Sequence, residues 1–263
     1  MTELGESVAV AVVVEAPNKK AKKKRKKKPS PECDYWRKTH KSDYNGPDSK
    51  FVTSTQISPV SVAFRLEVNI VRRKLRIISV FKWGTVASDV NKRQKRRTIR
   101  MFKAKVAAWS GRYKMKIVDP ECGKKTMPIM FRLQWSPDDT KSSAPYKVNL
   151  YKTFPRAAVT GWDVDIGHDS DVVPNAGWVL QHEYGHTLCL PDEYFYGAVT
   201  SATVVYKKAD GSNKSITLEP ANNNIMRTHA SWRFRKRFFY FVAVEAQELL
   251  RQKSGRNVTC EII

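Results

Sequence analysis

Residues 182 to 194 read His182-Glu183-Tyr184-Gly185-His186-Thr187-Leu188-Cys189-Leu190-Pro191-Asp192-Glu193-Tyr194. His182 and His186 are four apart, so on a helix they stack on one face about one turn from each other. Two imidazole nitrogens can then close on one metal ion. Glu183 follows the first of them and can hold a water beside that ion without ligating the ion itself. Zinc lowers the pKa of a bound water to about 7, and a neighbouring carboxylate can take the proton as the water attacks a carbonyl.

The flanking residues support a helix at this point. Ala176, Trp178, Val179 and Leu180 give a helix-compatible apolar pattern between Asn175 and Gln181, and Pro174 lies where a helix start tolerates proline. Pro191 ends the pattern, so the motif lies near the C-terminal end of a short helix and the chain must then turn sharply. Asp192 stands ten residues after His182, beyond that turn. A hard carboxylate there can complete a three-ligand site with one open position, as catalytic zinc requires. Glu193 is the alternative third ligand.

This spacing resembles the metzincin pattern His-Glu-x-x-His-x-x-Gly-x-x-His, with Asp192 in place of the last histidine. The longer string is similar to bacterial metallopeptidases of the His-Glu-Phe-Gly-His-x-Leu-Gly-Leu-x-Asp-Glu-Tyr type, some of which are effector domains of contractile secretion systems. One departure is Cys189, where those peptidases have a turn glycine; glycine reaches positive φ without steric penalty, so cysteine must either carry strain or change the turn. Asn224-Ile225-Met226 resembles the methionine turn that forms an apolar floor beneath the zinc of metzincins. The resemblance spans residues 60 to 252 in layout, but specific residues only at 182–194 and 224–226. It implies a zincin-like α+β fold: a twisted mixed sheet with a packed helix, then the active-site helix, the Met-turn and a C-terminal helix.

The chain's 263 residues, with seven Trp and eleven Phe, can bury a sizeable core, and no apolar run approaches the roughly 18 residues of a membrane span. Val8 to Val14 is apolar, but it follows Glu3 and Glu6 and precedes a lysine run, so it does not read as a secretory signal. The expectation is a protein that stays in the cytoplasm or leaves it through a dedicated machine. Cys33, Cys122, Cys189 and Cys260 contain no C-x-x-C pair, and without a signal peptide they are expected to be reduced thiols. The net charge of +23 is uneven. Residues 157–206 contain no Lys or Arg, so the histidine motif lies in the one acidic stretch of a basic protein. Acidic walls there would favour a basic peptide.

Residues 1–50 read as a basic tail, with an almost unbroken block from Lys19 to Lys28, and residues 51–263 read as the folded domain. Within it, Val60–Ile70, Leu75–Trp83, Tyr113–Val118, Pro128–Trp135, Tyr146–Tyr151 and Gly161–Ile166 are expected strands. Ser88–Trp109 is an expected helix with Lys92, Arg93, Lys95, Arg96, Arg97 and Arg100 on its outer face. Thr203–Leu218 reads as a hairpin around Asp210-Gly211, and Ser231–Lys253 as the closing helix. Asp163, Asp165, Asp169 and Asp171, with His168, form a polar cluster that reads as a solvated turn, with a calcium or structural-metal site as the alternative, although the spacing is not that of an EF-hand loop.

Two functions compete. The first is a zinc endopeptidase: His182, His186 and Asp192 hold Zn2+, Glu183 is general base, and Tyr194, Tyr196, His229 or Tyr240 stabilises the oxyanion. Related groups place a Tyr two residues after the methionine, but this chain has Thr228 there. The resemblance implies a toxin or effector delivered by a contractile injection or type VI machine, with a protein or peptide substrate. The second is a nucleic-acid- or polyanion-binding protein with a structural or vestigial zinc site, gripping its partner through the lysine tail and the basic helix.

Overall fold

The computed structural model describes residues 31–136, 145–151, 162–165, 176–194, 201–218, 224–227 and 233–263. They form a mixed α+β architecture around a curled sheet of eight strands, with a second sheet of three. The main sheet runs β1 (His40–Pro47), β3 (Ser61–Asn69), β4 (Lys74–Val86), β6 (Gly123–Trp135), β5 (Lys114–Asp119) and β11 (Thr259–Ile262). Two further strands, β7 (Tyr146–Tyr151) and β8 (Trp162–Asp165), continue from the far end of β4.

Period-two patterning builds this sheet. In β3, Val62, Phe64, Leu66 and Val68 are buried while the residues between them are exposed or half-buried. In β4 the buried set is Leu75, Ile77, Ser79, Phe81 and Trp83. These two strands pair antiparallel, with Leu66 opposite Ile77. β4 then serves two parallel neighbours in turn: Leu75–Phe81 faces β6, and Phe81–Val86 faces β7. The connection from β4 to β6 passes through helix α1 (Lys92–Ala107), whose Asn91 forms a capping box with Gln94.

Thr98, Phe102 and Val106 of α1 pack on the sheet, and Trp109 follows directly, fully buried. Its ring meets Tyr184 at 6.0 Å and Phe234 at 4.8 Å between centroids. Tyr184 belongs to α2 (Ala176–His186), the helix that carries the histidine motif, so this aromatic cluster fixes that helix against the sheet. The three-stranded sheet joins β9 (Thr203–Lys207) to β10 (Asn213–Thr217) in the expected hairpin, with Gly211 at φ +86° in its turn, and adds β2 (Val52–Ser54) on the other side. Helix α3 (Tyr240–Ser254) closes the fold; it begins later than expected, after a 3-10 turn at Lys236–Phe239.

Two expectations need correction. Residues 31–50 are not a tail. Tyr35 and Trp36 are buried, and β1 pairs with β3 along its whole length from His40–Val68 to Pro47–Ser61. Its residues, HKSDYNGP, lack the apolar alternation of a core strand because only one end of it is buried. The basic block Lys19–Lys28 lies outside the described residues. Nor are all four cysteines reduced: Cys33 and Cys122 form a disulfide across a separation of 89 residues, while Cys189 and Cys260 are buried free thiols. No helix among the described residues is long and apolar enough to cross a membrane.

Candidate metal centre

His186 ends α2 and His182 projects from the same face one turn earlier, as their four-residue spacing requires. Each is aimed by a main-chain carbonyl. His182 Nδ1 lies 2.9 Å from the Ile225 carbonyl oxygen, and His186 Nδ1 lies 2.7 Å from that of Leu190. Donating Nδ1–H to a carbonyl leaves Nε2 with the lone pair and fixes the ring plane, the usual arrangement behind a metal-ligating imidazole. Asp192 Oδ1 stands 2.9 Å from His182 Nε2 and 3.4 Å from His186 Nε2. The three ligand atoms lie within 4.8 Å of one another, close enough to hold a metal ion. Burial works against the Asp192 carboxylate, but with a proton rather than a metal on each Nε2 the hydrogen bonds and charge from both imidazoles outweigh it and hold its pKa well below the usual carboxylate range; a bound cation would take the place of those protons. It is therefore an anion ready to ligate. His186 has the most exposed side chain of the three, at 12%, so the group opens toward solvent on its side.

The turn that delivers Asp192 is a Schellman motif. Leu190 N–H donates to the Gly185 carbonyl at 3.2 Å and Cys189 N–H to the His186 carbonyl at 3.2 Å. Cys189 occupies the left-handed position with φ +65°. Of the two outcomes expected for a cysteine there, the turn is kept and the strain is carried. A cysteine does so at a cost of roughly 1–2 kcal/mol that glycine avoids. Burial of its side chain, 1% exposed among core residues, offsets part of that cost.

Glu193 is not part of the ligand group. Its carboxylate is 1% exposed and closed on every side. Oε1 accepts from the Tyr206 hydroxyl at 2.6 Å and Arg237 Nε at 2.8 Å; Oε2 accepts from Asn224 Nδ2 at 2.7 Å and Arg237 Nη2 at 2.5 Å. Its own N–H donates to the Met226 carbonyl at 2.9 Å. Asn224 Oδ1 in turn accepts from Met226 N–H at 2.8 Å. One carboxylate thereby ties the Asp192 turn, the 224–226 turn, β9 and the approach to α3. Sequence reasoning missed Tyr206 and Arg237, because neither is near the motif in the chain.

Met226 is fully buried beneath α2. A Cβ at Gly185 would lie 2.3 Å from its sulfur, so only glycine admits the thioether there. The neighbouring Ile225 supplies the carbonyl that orients His182, so this turn both floors and aims the site. Among the residues considered for the oxyanion, Tyr194 stacks near His182, 6.4 Å between centroids at 25°. Tyr240 instead lines a separate concavity with Lys208, Asp210, Gln247 and Arg251. Tyr196, His229, Thr228 and the His168, Asp169 and Asp171 part of the acidic cluster lie outside the described residues.

Comparison of the chain with protein-family models, with curated proteins and with solved structures finds no match.

Proposed function

We propose that the protein is a zinc-dependent endopeptidase of metzincin-like type. The observation that carries this reading is the convergence of His182 Nε2, His186 Nε2 and Asp192 Oδ1, with each imidazole locked from behind by a carbonyl. Two neutral nitrogens and one carboxylate suit zinc. A structural zinc would call for a fourth protein ligand, commonly a thiolate. Cys189 is a poor candidate, since burial pushes its thiol pKa well above the ordinary value and it is not among the grouped ligands. Among the described residues only these three ligands converge, which would leave a coordination position for catalysis.

Zinc held there supplies a Lewis acid that lowers the pKa of a water it binds. Glu183, next to His182 at the same end of α2, takes the proton of the attacking water and later gives it to the leaving amine. Of the two candidates among the described residues, Tyr194, stacked near His182, rather than Tyr240 would donate to the oxyanion. Asn224-Ile225-Met226 acts as the Met-turn. The resemblance further supports an exported effector acting on peptide substrates, and the Cys33–Cys122 disulfide agrees with service in an oxidising compartment.

Zinc content and cleavage of an unbiased peptide library, measured for the wild type and Glu183→Ala, test this reading. We expect about one zinc in both proteins, with hydrolysis lowered about a hundred- to ten-thousand-fold or more in the variant. Retained hydrolysis in Glu183→Ala, or zinc binding without hydrolysis in the wild type, would reject the peptidase.

A further inference from the structure

Lys92–Ala107 carries eight basic residues (Lys92, Arg93, Lys95, Arg96, Arg97, Arg100, Lys103 and Lys105) and no acidic one. Six of them are exposed, all but Lys95 and Lys105. Lys92, Arg93, Lys95, Arg96, Arg100 and Lys103 make no ion pair among the described residues. The helix therefore holds like charges at i,i+4 (Lys92–Arg96, Arg93–Arg97, Arg96–Arg100), each destabilising. It also places cations in its first turn, where the macrodipole favours anions. Covering the sheet needs only the opposite face, Thr98, Phe102 and Val106. For the six that make no ion pair, the charge is thus a cost to the fold with no counter-ion among the described residues.

We propose that the outer face of α1 binds the phosphate backbone of nucleic acid, independently of base sequence. Lys92, Arg93, Arg96, Ile99 and Arg100 line one open concavity of about 670 Å³. Sixteen residues make a helix about 24 Å long, with cations recurring at each turn along one side, so the row can follow a polyanion strand. Arginine dominates its centre, and its planar fork matches phosphate bidentately, which an ammonium cannot do. A lipid surface fits less well. The apolar face of α1, with Phe102 and Val106 each 1% exposed, is already spent on the sheet, and only the half-buried Ile99 and Met101 remain beside the cations, too little apolar surface to enter a bilayer. The site is independent of the histidine motif and holds whether or not the chain is a peptidase.

The test uses the full chain and its Arg93→Gln/Arg96→Gln/Arg100→Gln variant. Affinity for a fluorescent DNA duplex of arbitrary sequence is measured from 50 to 300 mM salt, beside phosphatidylserine vesicles. Loss of three phosphate contacts should weaken duplex binding by about tenfold or more at low salt and flatten the log K against log salt slope by about 3. Zinc content and the thermal midpoint should be unchanged, and the matching Arg→Lys triple variant should keep the wild-type salt slope. Equal duplex affinity and slope in wild type and Gln variant would overturn the proposal. Vesicle binding tighter than duplex binding and lost in the Gln variant would replace nucleic acid by a membrane surface.

Discussion

The carboxylate of Asp192 faces two imidazole nitrogens, whereas that of Glu193, one residue on, is filled by Tyr206, Asn224 and a bidentate Arg237. The two acids should therefore fail differently. On the proposed zinc reading, Asp192→Ala removes a ligand and is expected to lower zinc affinity by more than about a hundredfold, beyond the loss usual for a residue behind the ligands. Its metal-free thermal midpoint should fall by less than that of a variant at Glu193, whose carboxylate carries four side-chain hydrogen bonds. Glu193→Gln keeps the shape but leaves the Arg237 guanidinium, 14% exposed, without its counter-charge. Removing one partner of a buried pair costs about 3–5 kcal/mol, so this variant should melt far below the wild type. Paired zinc titration and thermal unfolding decide the matter. If Glu193→Gln lost zinc while keeping its melting temperature, the ligand assignment would be wrong.

Helix α2 and the two turns beneath it work as one element. Gly185→Ala would drive a methyl into the Met226 thioether and is expected to cost about 1–3 kcal/mol, as overpacking of a filled core does. Because Met226 is joined to Ile225, whose carbonyl aims His182, the same variant should also bind zinc more weakly. Unchanged affinity would mean that floor and ligands are uncoupled. Cys189→Gly should leave stability within about 1 kcal/mol, since relief of φ +65° offsets the lost burial, while Cys189→Val, β-branched at that angle, should be severely destabilising. These elements also mark what could be read from the chain. The spacing of His182, His186 and Asp192 and the alternation of Val62 to Val68 are local patterns, and each survives in the fold. The strand His40–Pro47 was hidden because an edge strand with one buried end has no apolar period. The closure of Glu193 was hidden for another reason: its partners at 206, 224 and 237 meet it only through tertiary folding. The parallel contacts of β4 with β6 and β7 leave no trace in the local sequence either.

For the whole molecule, the N-terminal corner is tied in by an edge strand and a disulfide. Removing residues 1–50 would take out β1 and one half of the disulfide, and is expected to abolish cooperative folding, whereas a chain starting at residue 31 keeps every contact described there. Circular dichroism of the two truncations distinguishes them. Breaking the disulfide by Cys33→Ser should cost about 4–5 kcal/mol on a chain-entropy basis, given the separation of 89 residues. Thermal unfolding with and without reductant measures it. Beside this bond, Asp119 accepts from Tyr35, from the Glu121 and Cys122 amides, and from Arg256 at 3.4 Å. Burial opposes ionisation of Asp119, but the Tyr35 hydrogen bond, the amides and Arg256 win and lower its pKa. A depressed carboxylate contributes stability above its unfolded pKa of about 3.9 and loses it as pH falls through the folded value. Acid unfolding should therefore be shallower in Asp119→Asn than in the wild type. The same disulfide also turns residues 33 to 122 into a closed covalent ring. A motor drawing the chain from its N-terminus through a single-strand-wide channel would jam at residue 33, where two strands must pass at once. Threaded transport must then precede oxidation, and once the bond has formed the protein can travel only as a folded body or through a channel wide enough for a loop.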